Sequence, residues 1–513
     1  MAARINYSIQ NTLSLLNPLC SSISARSTTT AHFKNRLSFP TKLLLLNSKA
    51  AFCTVANSNP NSAQNGEAVA AETFVLTTPL YYVNAPPHMG SAYTTIAADA
   101  IARFQRLLGK KVIFVTGTDE HGEKIATAAA ALALAQLEIA YDKFIRTTDP
   151  KHEAIVKEFY SRVLANGDIY RADYEGLYCV SCEEYKVQSW IKCGLKDFSI
   201  SRASVDWGIP VPNDNKQTIY VWFDALLGYL SALSEDKEQT NLQSAVSSGW
   251  PASLHLIGKD ILRFHAVYWP AMLMSAGLGL PKVVFGHGFL TKDGLKMGKS
   301  LGNTLEPNEL VQKFGSDAVR YFFLREVEFG NDGDYSEERF VNIVNAHLAN
   351  TIGNLLNRTL GLLKKNCQST LVVDSAIAAE GNALKDTVEK LVEKARIHYA
   401  NLSLSLACET ILEIGSRDYI GGNEDYSNCF VPVAPSLCWR IYAQLGYSKD
   451  HFNTVTWSET KWGGLKGGQL MAQPKPVFAR IENRTETEDS EAASKKFVKN
   501  KEKNPKSQVV AEA

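Results

Sequence analysis

The feature that most constrains the fold is an apolar strand, a helical repeat and a second apolar strand in close succession. Residues 74–78 form a β-prone apolar run, and residues 112–115 are continuously apolar. Between them, apolar side chains recur at helical spacing, and Gly109 follows as a stop signal. These side chains are Ile96, Ala97, Ala100, Ile101, Phe104, Leu107 and Leu108. Because a continuously apolar strand is typical of a sheet buried on both faces, the pattern predicts a βαβ unit in an α/β fold with a parallel sheet.

Polar residues gather where the predicted strands end. His88 lies between the first strand and the helix, and Asp119 follows the second strand. Three further strands are predicted at residues 218–223, 255–258 and 283–285, and polar residues follow each of them. Those polar residues are Asp224, Lys259, Asp260 and His287. Ligands of parallel sheets bind beyond the carboxyl ends of the strands, so the sequence predicts one nucleotide-binding crevice there.

The last predicted strand leads into a basic segment with glycines, residues 290–300, that carries Lys296 and Lys299. The segment has one residue too few between its glycines for a Walker A loop, and no G-x-G-x-x-G follows the first strand. Phosphate would instead bind at the helix N-terminus beside His88 and at the two lysines, which can neutralise a departing pyrophosphate. Taken singly, a histidine before a helix is usually a cap and a lysine-rich turn is usually solvated. The hypothesis of a phosphate site therefore depends on the histidine and the lysines lying together at one edge of the sheet.

The N-terminal part of the chain differs in charge from the rest. Residues 1–66 contain no Asp or Glu, six Lys or Arg and sixteen Ser or Thr. This composition is typical of a mitochondrial or chloroplast transit peptide, and a plain disordered tail is the alternative. The remaining residues hold 48 basic and 53 acidic side chains, so no general basic field attracts nucleic acid. The longest apolar stretch, residues 266–280, is below spanning length and contains Pro270, so we expect no membrane partner.

Two short motifs resemble the HIGH and KMSKS signatures of class I aminoacyl-tRNA synthetases. They are His-Met-Gly-Ser at residues 88–91 and Lys-Met-Gly-Lys-Ser at residues 296–300. The surrounding sequences TPLYYVNAPPH, TGTDEHG, YVWFDA and LIGKDI are similar to those of methionyl-tRNA synthetases of organellar or bacterial type. The resemblance runs from about residue 74 to about residue 482. Ser91 replaces the usual second histidine and Gly298 the usual serine, and either change is expected to weaken a phosphate contact without removing the site.

The resemblance implies a Rossmann-like parallel-sheet catalytic domain with a small inserted connective segment, followed by an α-helical anticodon-binding domain. The bounds expected from it are 1–72 for an organellar presequence, 73–149 and 202–330 for the catalytic domain, 150–201 for a shortened connective segment with a zinc knuckle, 331–460 for the internally shortened helical domain, and 461–513 for a C-terminal extension that is disordered towards its end.

The family uses ATP with Mg²⁺ to activate L-methionine and passes the methionyl group from the adenylate to tRNA(Met). The resemblance therefore implies an ATP-dependent methionine–tRNA ligase that serves translation in the mitochondrion, the chloroplast or both. Its implied partners are L-methionine, ATP and tRNA(Met), and the oligomeric state is not determined by the sequence.

The same resemblance assigns roles to individual residues. The catalytic set is His88, Lys296 and Lys299. The ATP-binding set is His88, Gly90, Ser91, Asp260 and Lys299. The methionine-binding set is Leu80, Tyr82, Asp119, Arg202, Trp222, Ala225, Tyr229, Ile261 and His265, with Asp119 at the ammonium group. The anticodon-reading pair is Asn354 and Arg358, for which the polar face of a bundle helix is the alternative.

The chemistry of some of these residues suits methionine independently of the resemblance. A thioether is recognised by shape and by contact between sulfur and aromatic rings, which Tyr82, Trp222 and Tyr229 supply. Core packing is the alternative for Trp222, and a surface salt bridge is the alternative for Arg202.

The sequence departs from the family at three places where segments are short. At the connective segment, Cys179 and Cys182 form half of a zinc knuckle, Cys193 is a third candidate ligand and a fourth is missing, so we expect no metal there. Residues 132–139 compress a helical segment, and residues 415–423 lack the tryptophan that stacks on an anticodon base. One alternative is a related nucleotidyltransferase without tRNA, against which the later helical region argues. The other is a catalytically impaired splice or gene-model variant that retains only partial tRNA or partner binding.

Overall fold

The computed structural model describes residues 2–5, 71–82, 87–121, 127–172, 195, 197–203, 207–234, 240–297, 301–372, 382–417 and 423–482. Within these ranges the strands are β1 (Ala2–Ile5), β2 (Thr73–Thr77), β3 (Tyr81–Tyr82), β4 (Lys111–Asp119), β5 (Lys143–Arg146), β6 (Ile169–Ala172), β7 (Ser201–Arg202), β8 (Pro210–Val211), β9 (Asp214–Ile219), β10 (Leu254–Gly258), β11 (Val284–His287), β12 (Leu290–Lys292), β13 (Leu295–Lys296) and β14 (Gly333–Tyr335).

The α-helices of the same ranges are α1 (Met89–Leu107), α2 (Thr127–Gln136), α3 (Pro150–Ala165), α4 (Val221–Ser231), α5 (Leu242–Ser247), α6 (Trp269–Ser275), α7 (Pro307–Phe314), α8 (Ser316–Glu326), α9 (Glu337–Val344), α10 (Asn354–Cys367), α11 (Asn382–Ala400), α12 (Leu404–Arg417), α13 (Asn423–Phe430), α14 (Pro435–Gln444) and α15 (Lys449–Thr454). Two π-helical turns, Phe264–Tyr268 and Asn345–Gly353, precede α6 and α10. Two short 3₁₀ turns are Lys259–Ile261 and Trp457–Glu459.

Six of the described strands form one sheet that is parallel throughout. Its order is β11, β10, β2 and β4, and both β3 and β5 pair with β4. Two three-stranded sheets accompany it: β7, β9 and β8 are antiparallel, and β12 lies between β13 and β14. The α/β architecture with a parallel sheet that the sequence predicted is confirmed.

Alternate residues of β4 enter two different cores. Val112 and Phe114 pack in the core that contains α1, whereas Ile113 and Val115 pack with α3, α4 and α6 on the opposite face. Because helices cover both faces, the strand has no polar residue in this stretch. Helix α1 ends before Gly109, whose φ of 79° is the left-handed conformation that favours glycine after a helix. The predicted strand, helix and strand are therefore present in that order.

Residues 218–223 do not form the strand of the parallel sheet that the sequence analysis predicted. β9 ends at Ile219 and belongs to the antiparallel sheet, and α4 begins at Val221. A short apolar run does not distinguish a buried strand from a buried helix, and here the apolar pattern continues at helical spacing to Leu230. Asp224 therefore lies on a helix and not beyond the end of a strand.

Helix α3 belongs to the layer that covers the sheet, although it lies in the range expected for the inserted segment. It packs on α4, α5 and α6. Its Phe159 ring lies 5.8 Å from the ring of Phe223 and 6.2 Å from that of Trp269, between centroids. All three side chains are fully buried, and burial of a side chain of this size stabilises a fold by about 1.5–3 kcal/mol.

The described chain from α9 onward is mainly helical and shares an apolar core with α1. The rings of Phe104 in α1 and Tyr399 in α11 stack with their centroids 5.0 Å apart. Arg320 of α8 is fully buried at this junction, where it donates to the carbonyl of Val433 at 2.9 Å and pairs with Asp99 at 2.6 Å. Because a buried charge is costly unless it is paired, these contacts hold the helical region against α1. None of the described helices combines the length and apolarity needed to cross a membrane.

Several expectations from the sequence concern residues outside the described ranges. These are Lys299 and Gly298 of the basic segment, Cys179, Cys182 and Cys193 of the connective segment, most of the presequence, and the tail after Glu482. In the described part of the chain, no group of three or more His, Cys, Asp or Glu side chains is arranged to hold a metal ion. Strand β1, which lies in the presequence range, pairs antiparallel with β6.

Candidate active site

A cavity of about 730 Å³ opens at the carboxyl ends of the parallel strands, beside the N-terminus of α1. Its volume lies in the usual range for small-molecule sites. Most residues that the sequence analysis assigned to ATP and methionine line it. They are Leu80, Tyr82, His88, Gly90, Ser91, Asp119, Trp222, Ala225, Tyr229, Asp260, Ile261, His265 and Lys296.

His88 is the N-cap of α1. Its backbone is extended, with φ of −106° and ψ of 166°, and its Nδ1 accepts the N–H of Gly90 at 3.1 Å. A Cβ at position 90 would lie 2.8 Å from the imidazole ring, so this approach requires glycine. The N-terminus of a helix attracts anions through its free N–H groups and its dipole. In α1 the N–H groups of Met89, Gly90 and Ser91 already donate to Leu305 and His88, so what this helix start offers to phosphate is its positive dipole.

Asp119 ends β4 and faces the cavity while it is almost fully buried. Its Oδ1 has no hydrogen-bond partner in the described part of the chain. Burial, reinforced by the negative charge of Asp224, raises the pKa of the Asp119 carboxyl to about 8. A carboxylate in such surroundings is stabilised by a cationic ligand, because the ligand supplies both the missing charge and the missing donor.

Helix α4 contributes an apolar face to the cavity. Trp222, Ala225 and Tyr229 follow one another at intervals of three and four residues, so they lie on one side of the helix. The Trp222 ring stacks on the ring of Phe264 with centroids 4.0 Å apart. A Cβ at position 228 would lie 2.8 Å from the side chain of Leu80, so glycine there allows Leu80 to approach the helix.

Tyr229 and His265 form a buried hydrogen-bonded pair in the wall of the cavity. Burial lowers the pKa of His265 to about 4, so the imidazole is neutral at physiological pH. Its Nδ1 lies 3.0 Å from the carbonyl oxygen of Ile261, which can only accept, so Nδ1 carries the proton. Nε2 is then an acceptor, and the hydroxyl of Tyr229 donates to it at 2.8 Å. The orientation of both rings is fixed by this tautomer.

Asp260 and Lys296 lie on the opposite, exposed side of the cavity. Asp260 is in the 3₁₀ turn that follows β10. Lys296 is in β13, which forms a hairpin with β12, and its Nζ is 4.9 Å from the centroid of the Phe289 ring. The residues between the two strands, Asp293 and Gly294, have φ of 51° and 75°, as two-residue hairpin turns require. The first part of the basic segment is therefore a hairpin and not an irregular loop.

Arg202 is the one assigned methionine residue that does not line this cavity. Its guanidinium group lies 3.9 Å from the centroid of the Tyr220 ring and donates to the carbonyl of Ser201 at 2.9 Å. The contacts of the Arg202 guanidinium are therefore with an aromatic ring and backbone carbonyls, and not with the carboxylate of a surface salt bridge, which was its alternative role. Asn354 and Arg358 are exposed one turn apart on α10, in the helical region and away from the cavity.

Some residues that line the cavity were given no role by the sequence analysis. The Nε2 of His287 lies 2.5 Å from the hydroxyl of Thr94, and the hydroxyl of Tyr81 lies 2.5 Å from that of Thr95. His287 was already predicted at this edge because it follows a parallel strand, but it was given no individual role. The signal for the two threonines is that they follow His88 by about two helical turns.

Comparison with known proteins agrees with this geometry. A family model described as class I tRNA synthetases (M) matches residues 74–189 and 184–360. The methionine–tRNA ligase, chloroplastic/mitochondrial, of Arabidopsis thaliana is 60% identical over 96% of this chain and 96% of its own length. The chain belongs to the class I methionyl-tRNA synthetases.

More distant members show the same relationship. The methionine–tRNA ligase of Nostoc sp. is 44% identical over 80% of this chain and 98% of its own length. The methionyl-tRNA synthetase of Mycobacterium tuberculosis, solved in complex with methionyl-adenylate, is 34% identical. It superimposes with a TM-score of 0.70 over 80% of this chain and all of its own chain. The Rossmann-like class I fold and the organellar type that the sequence predicted are both confirmed, the latter by the Arabidopsis relative.

The comparisons also agree with the internal shortenings inferred from the sequence. The alignment with the Arabidopsis relative has 602 positions, but 96% of this chain is about 490 residues, so about 110 positions face gaps in this chain. The family match divides at residues 184–189, in the connective segment. This synthetase is therefore shorter internally than its Arabidopsis relative.

Proposed function

We propose that this synthetase activates L-methionine with ATP and transfers the methionyl group to tRNA(Met) in an organelle. The observation that carries the proposal is the buried carboxylate of Asp119, which faces the same cavity as the aromatic surface of α4 and the N-terminus of α1. These three surfaces match, in turn, the cationic ammonium group of an amino acid, its apolar side chain and an anionic co-substrate.

The methionine site is supported by the chemistry of the cavity wall. We assign the ammonium group to the carboxylate of Asp119, which lines the cavity and has one oxygen without a partner among the described residues. The thioether would lie against Trp222 and Tyr229, because sulfur packs favourably on aromatic rings. The hydroxyl of Tyr229 is engaged by His265, so it offers the substrate a fixed surface.

The ATP site is proposed for the polar side of the cavity. The start of α1, at His88 and Gly90, would attract phosphate oxygens through the helix dipole, and Asp260 would accept hydrogen bonds from ribose hydroxyls. A carboxylate oxygen of methionine then attacks the α-phosphorus, and the bond from phosphorus to the pyrophosphate oxygen breaks. Lys296, together with Lys299 of the family motif, would stabilise the negative charge that develops on pyrophosphate. No covalent intermediate with the protein is needed, so alignment and charge stabilisation carry the step.

Magnesium is proposed only as a companion of ATP. The described residues include no cluster that would hold a divalent cation by itself. Mg²⁺ commonly keeps several waters and binds through substrate phosphates with one or two carboxylates, so we propose that it enters with the nucleotide.

We propose that the catalytic domain comprises residues 73–165 and 202–330, because α3 packs in its helical layer. We assign residues 331–482 to the tRNA-binding helical domain, since Met471 and Val477 are buried in its core. The exposed pair on α10, Asn354 and Arg358, is the proposed anticodon contact. The chain lacks a general basic excess, so such local contacts must supply tRNA affinity.

The proposal is tested by methionine-dependent exchange of pyrophosphate into ATP with the purified full chain. We expect exchange in the wild type. We expect the Michaelis constant for methionine to rise between about tenfold and a hundredfold in Asp119→Asn, because a hydrogen bond to a charged group contributes about 1.5–3 kcal/mol. Asp168→Asn is the matched control, since Asp168 is also buried and hydrogen-bonded but does not line the cavity. A folded wild type without exchange would support the impaired variant instead.

A further inference from the structure

A buried cluster of one carboxylate and two histidines lies behind the methionine side of the cavity. Asp224 of α4 accepts a hydrogen bond from the Nδ1–H of His121 and another from the Nε2–H of His152, the latter at 2.6 Å. The Nδ1 of His152 lies 2.8 Å from the hydroxyl of Ser231. His152 and Asp224 are 0% and 2% exposed, so the cluster is shielded from solvent.

The position of the cluster distinguishes it from an ordinary packing contact. The backbone N–H of His121 donates to the carboxylate of Asp119, while the ring of the same histidine binds Asp224. Asp224 is on the same helix as Trp222 and Ala225, which form the apolar face of the cavity, but it does not line the cavity itself. The cluster thus connects Asp119, the proposed ligand of the methionine ammonium, with helix α4, the proposed contact of the methionine side chain.

We propose that Asp224, held between His121 and His152, is a positioning residue for methionine binding that fixes Asp119 relative to helix α4. The proposal rests on the proposed function, since it takes Asp119 as the ammonium ligand. The physical reason is that Asp119 and α4 come from distant parts of the chain, and His121 joins them through its backbone N–H to Asp119 and its ring to Asp224.

The cluster also acts on Asp119 electrostatically. The charged groups that act on Asp119 are Asp224 of α4, and His121 and Glu120 of its own segment. Glu120 is itself neutralised by Arg146, at 2.9 and 3.0 Å. After burial, Asp224 is the strongest of the influences that raise the pKa of Asp119, and His121 opposes it.

The first test is Asp224→Asn, which keeps the size of the side chain and one of its two acceptor oxygens but removes the charge. The pKa of Asp119 falls, so we expect methionine affinity to reach half of its maximum at a lower pH than in the wild type. For each unit of this shift, the dissociation constant measured at pH 6 falls about tenfold. The loss of Asp224 also lowers the pKa of His121, which acts in the opposite direction but ranks below the loss of the negative charge.

The second test is Asp224→Ala, which removes the contact to both histidines. We expect the dissociation constant for methionine at pH 9 to rise at least about tenfold, while the Michaelis constant for ATP changes less than about twofold. A general loss of structure would raise both constants. If the alanine variant does not fold by circular dichroism, the methionine dissociation constant of the asparagine variant at pH 9 decides, since this variant also loses one of the two histidine contacts and its constant should rise. Asp168→Asn is the control for the loss of a buried carboxylate elsewhere, and it should leave the pH midpoint unchanged.

The outcomes separate this inference from the proposed function. If Asp119→Asn loses methionine affinity while both Asp224 variants keep the wild-type pH midpoint and affinity, the positioning role is refuted and the ammonium site stands. If Asp119→Asn binds methionine as the wild type does, both assignments are refuted.

Discussion

Methionine binding to this synthetase should weaken as the pH falls below about 8. The carboxyl of Asp119 has its pKa raised to about 8, first by burial and then by Asp224. Because only the ionised carboxylate attracts an ammonium group, the proton must leave before methionine binds. Lowering the pH therefore lowers the fraction of protein molecules that can bind methionine.

The magnitude follows from the difference between the pKa and the pH. Two units below the pKa, about 1% of the carboxyl is ionised, and displacing its proton costs about 2.7 kcal/mol. We expect the dissociation constant for methionine to be about a hundredfold larger at pH 6 than at pH 9. Between pH 6 and pH 7, binding should release about one proton per methionine.

Two measurements on the full chain test this prediction. Tryptophan fluorescence reports binding because Trp222 lines the cavity. Isothermal titration calorimetry in buffers of different ionisation enthalpy counts the released protons. Asp119→Asn is the control and should bind weakly, with any remaining dependence on pH due to His121, whose pKa Asp224 raises against the effect of burial. His265 cannot produce the effect, because its pKa of about 4 lies below the range. A wild-type dissociation constant that is constant from pH 6 to pH 9, with no proton release, would refute the reasoning.

Three further substitutions give distinct outcomes. Tyr229→Phe removes the hydroxyl that donates to His265, so we expect the Michaelis constant for methionine to rise about five- to a hundredfold with that for ATP unchanged, measured by pyrophosphate exchange. Gly90→Ala places a Cβ 2.8 Å from the His88 ring, so the exchange rate should fall about tenfold or more at saturating methionine. Arg358→Ala should raise the Michaelis constant for tRNA in aminoacylation about tenfold and leave exchange unchanged.

Each of these expectations has its own contrary result. If Tyr229→Phe raised the Michaelis constant for ATP more than that for methionine, the hydroxyl would belong to the ATP site and not to the methionine site. Normal exchange by Gly90→Ala would mean that the close approach of His88 is dispensable. A loss of exchange in Arg358→Ala would indicate a general structural defect, which thermal unfolding would reveal.

The parallel sheet and the start of α1 could be predicted because local sequence carries enough information. The continuous apolar run in β4 reflects burial on both faces, which is a property of the strand alone. The helical repeat and Gly109 likewise act within a few residues of one another. His88 and Asp119 were placed in one crevice because carboxyl ends of parallel strands meet at one edge of a sheet.

The local sequence pattern did not predict the structure where the same residues are compatible with two different environments. The segment around Ile219 is apolar enough for either a strand or a helix, and packing against α3 selects the helix. The sequence assigned Arg202 to the methionine site by resemblance, but in this structure its guanidinium stacks on Tyr220 and donates to nearby backbone. The ring and the carbonyls lie within reach only after β7 and β9 have paired.

The sequence by itself determined the first strand, helix and strand of the parallel sheet, the edge of the sheet where ligands bind, and the family to which the chain belongs. Only the tertiary structure decided which buried polar groups form hydrogen bonds with one another. Asp224 and His121 are 103 residues apart in the chain, and Asp224 and His152 are 72 residues apart. Hydrophobic periodicity records whether a side chain is buried but not which distant side chain it meets, and a buried charge takes its pKa from that partner.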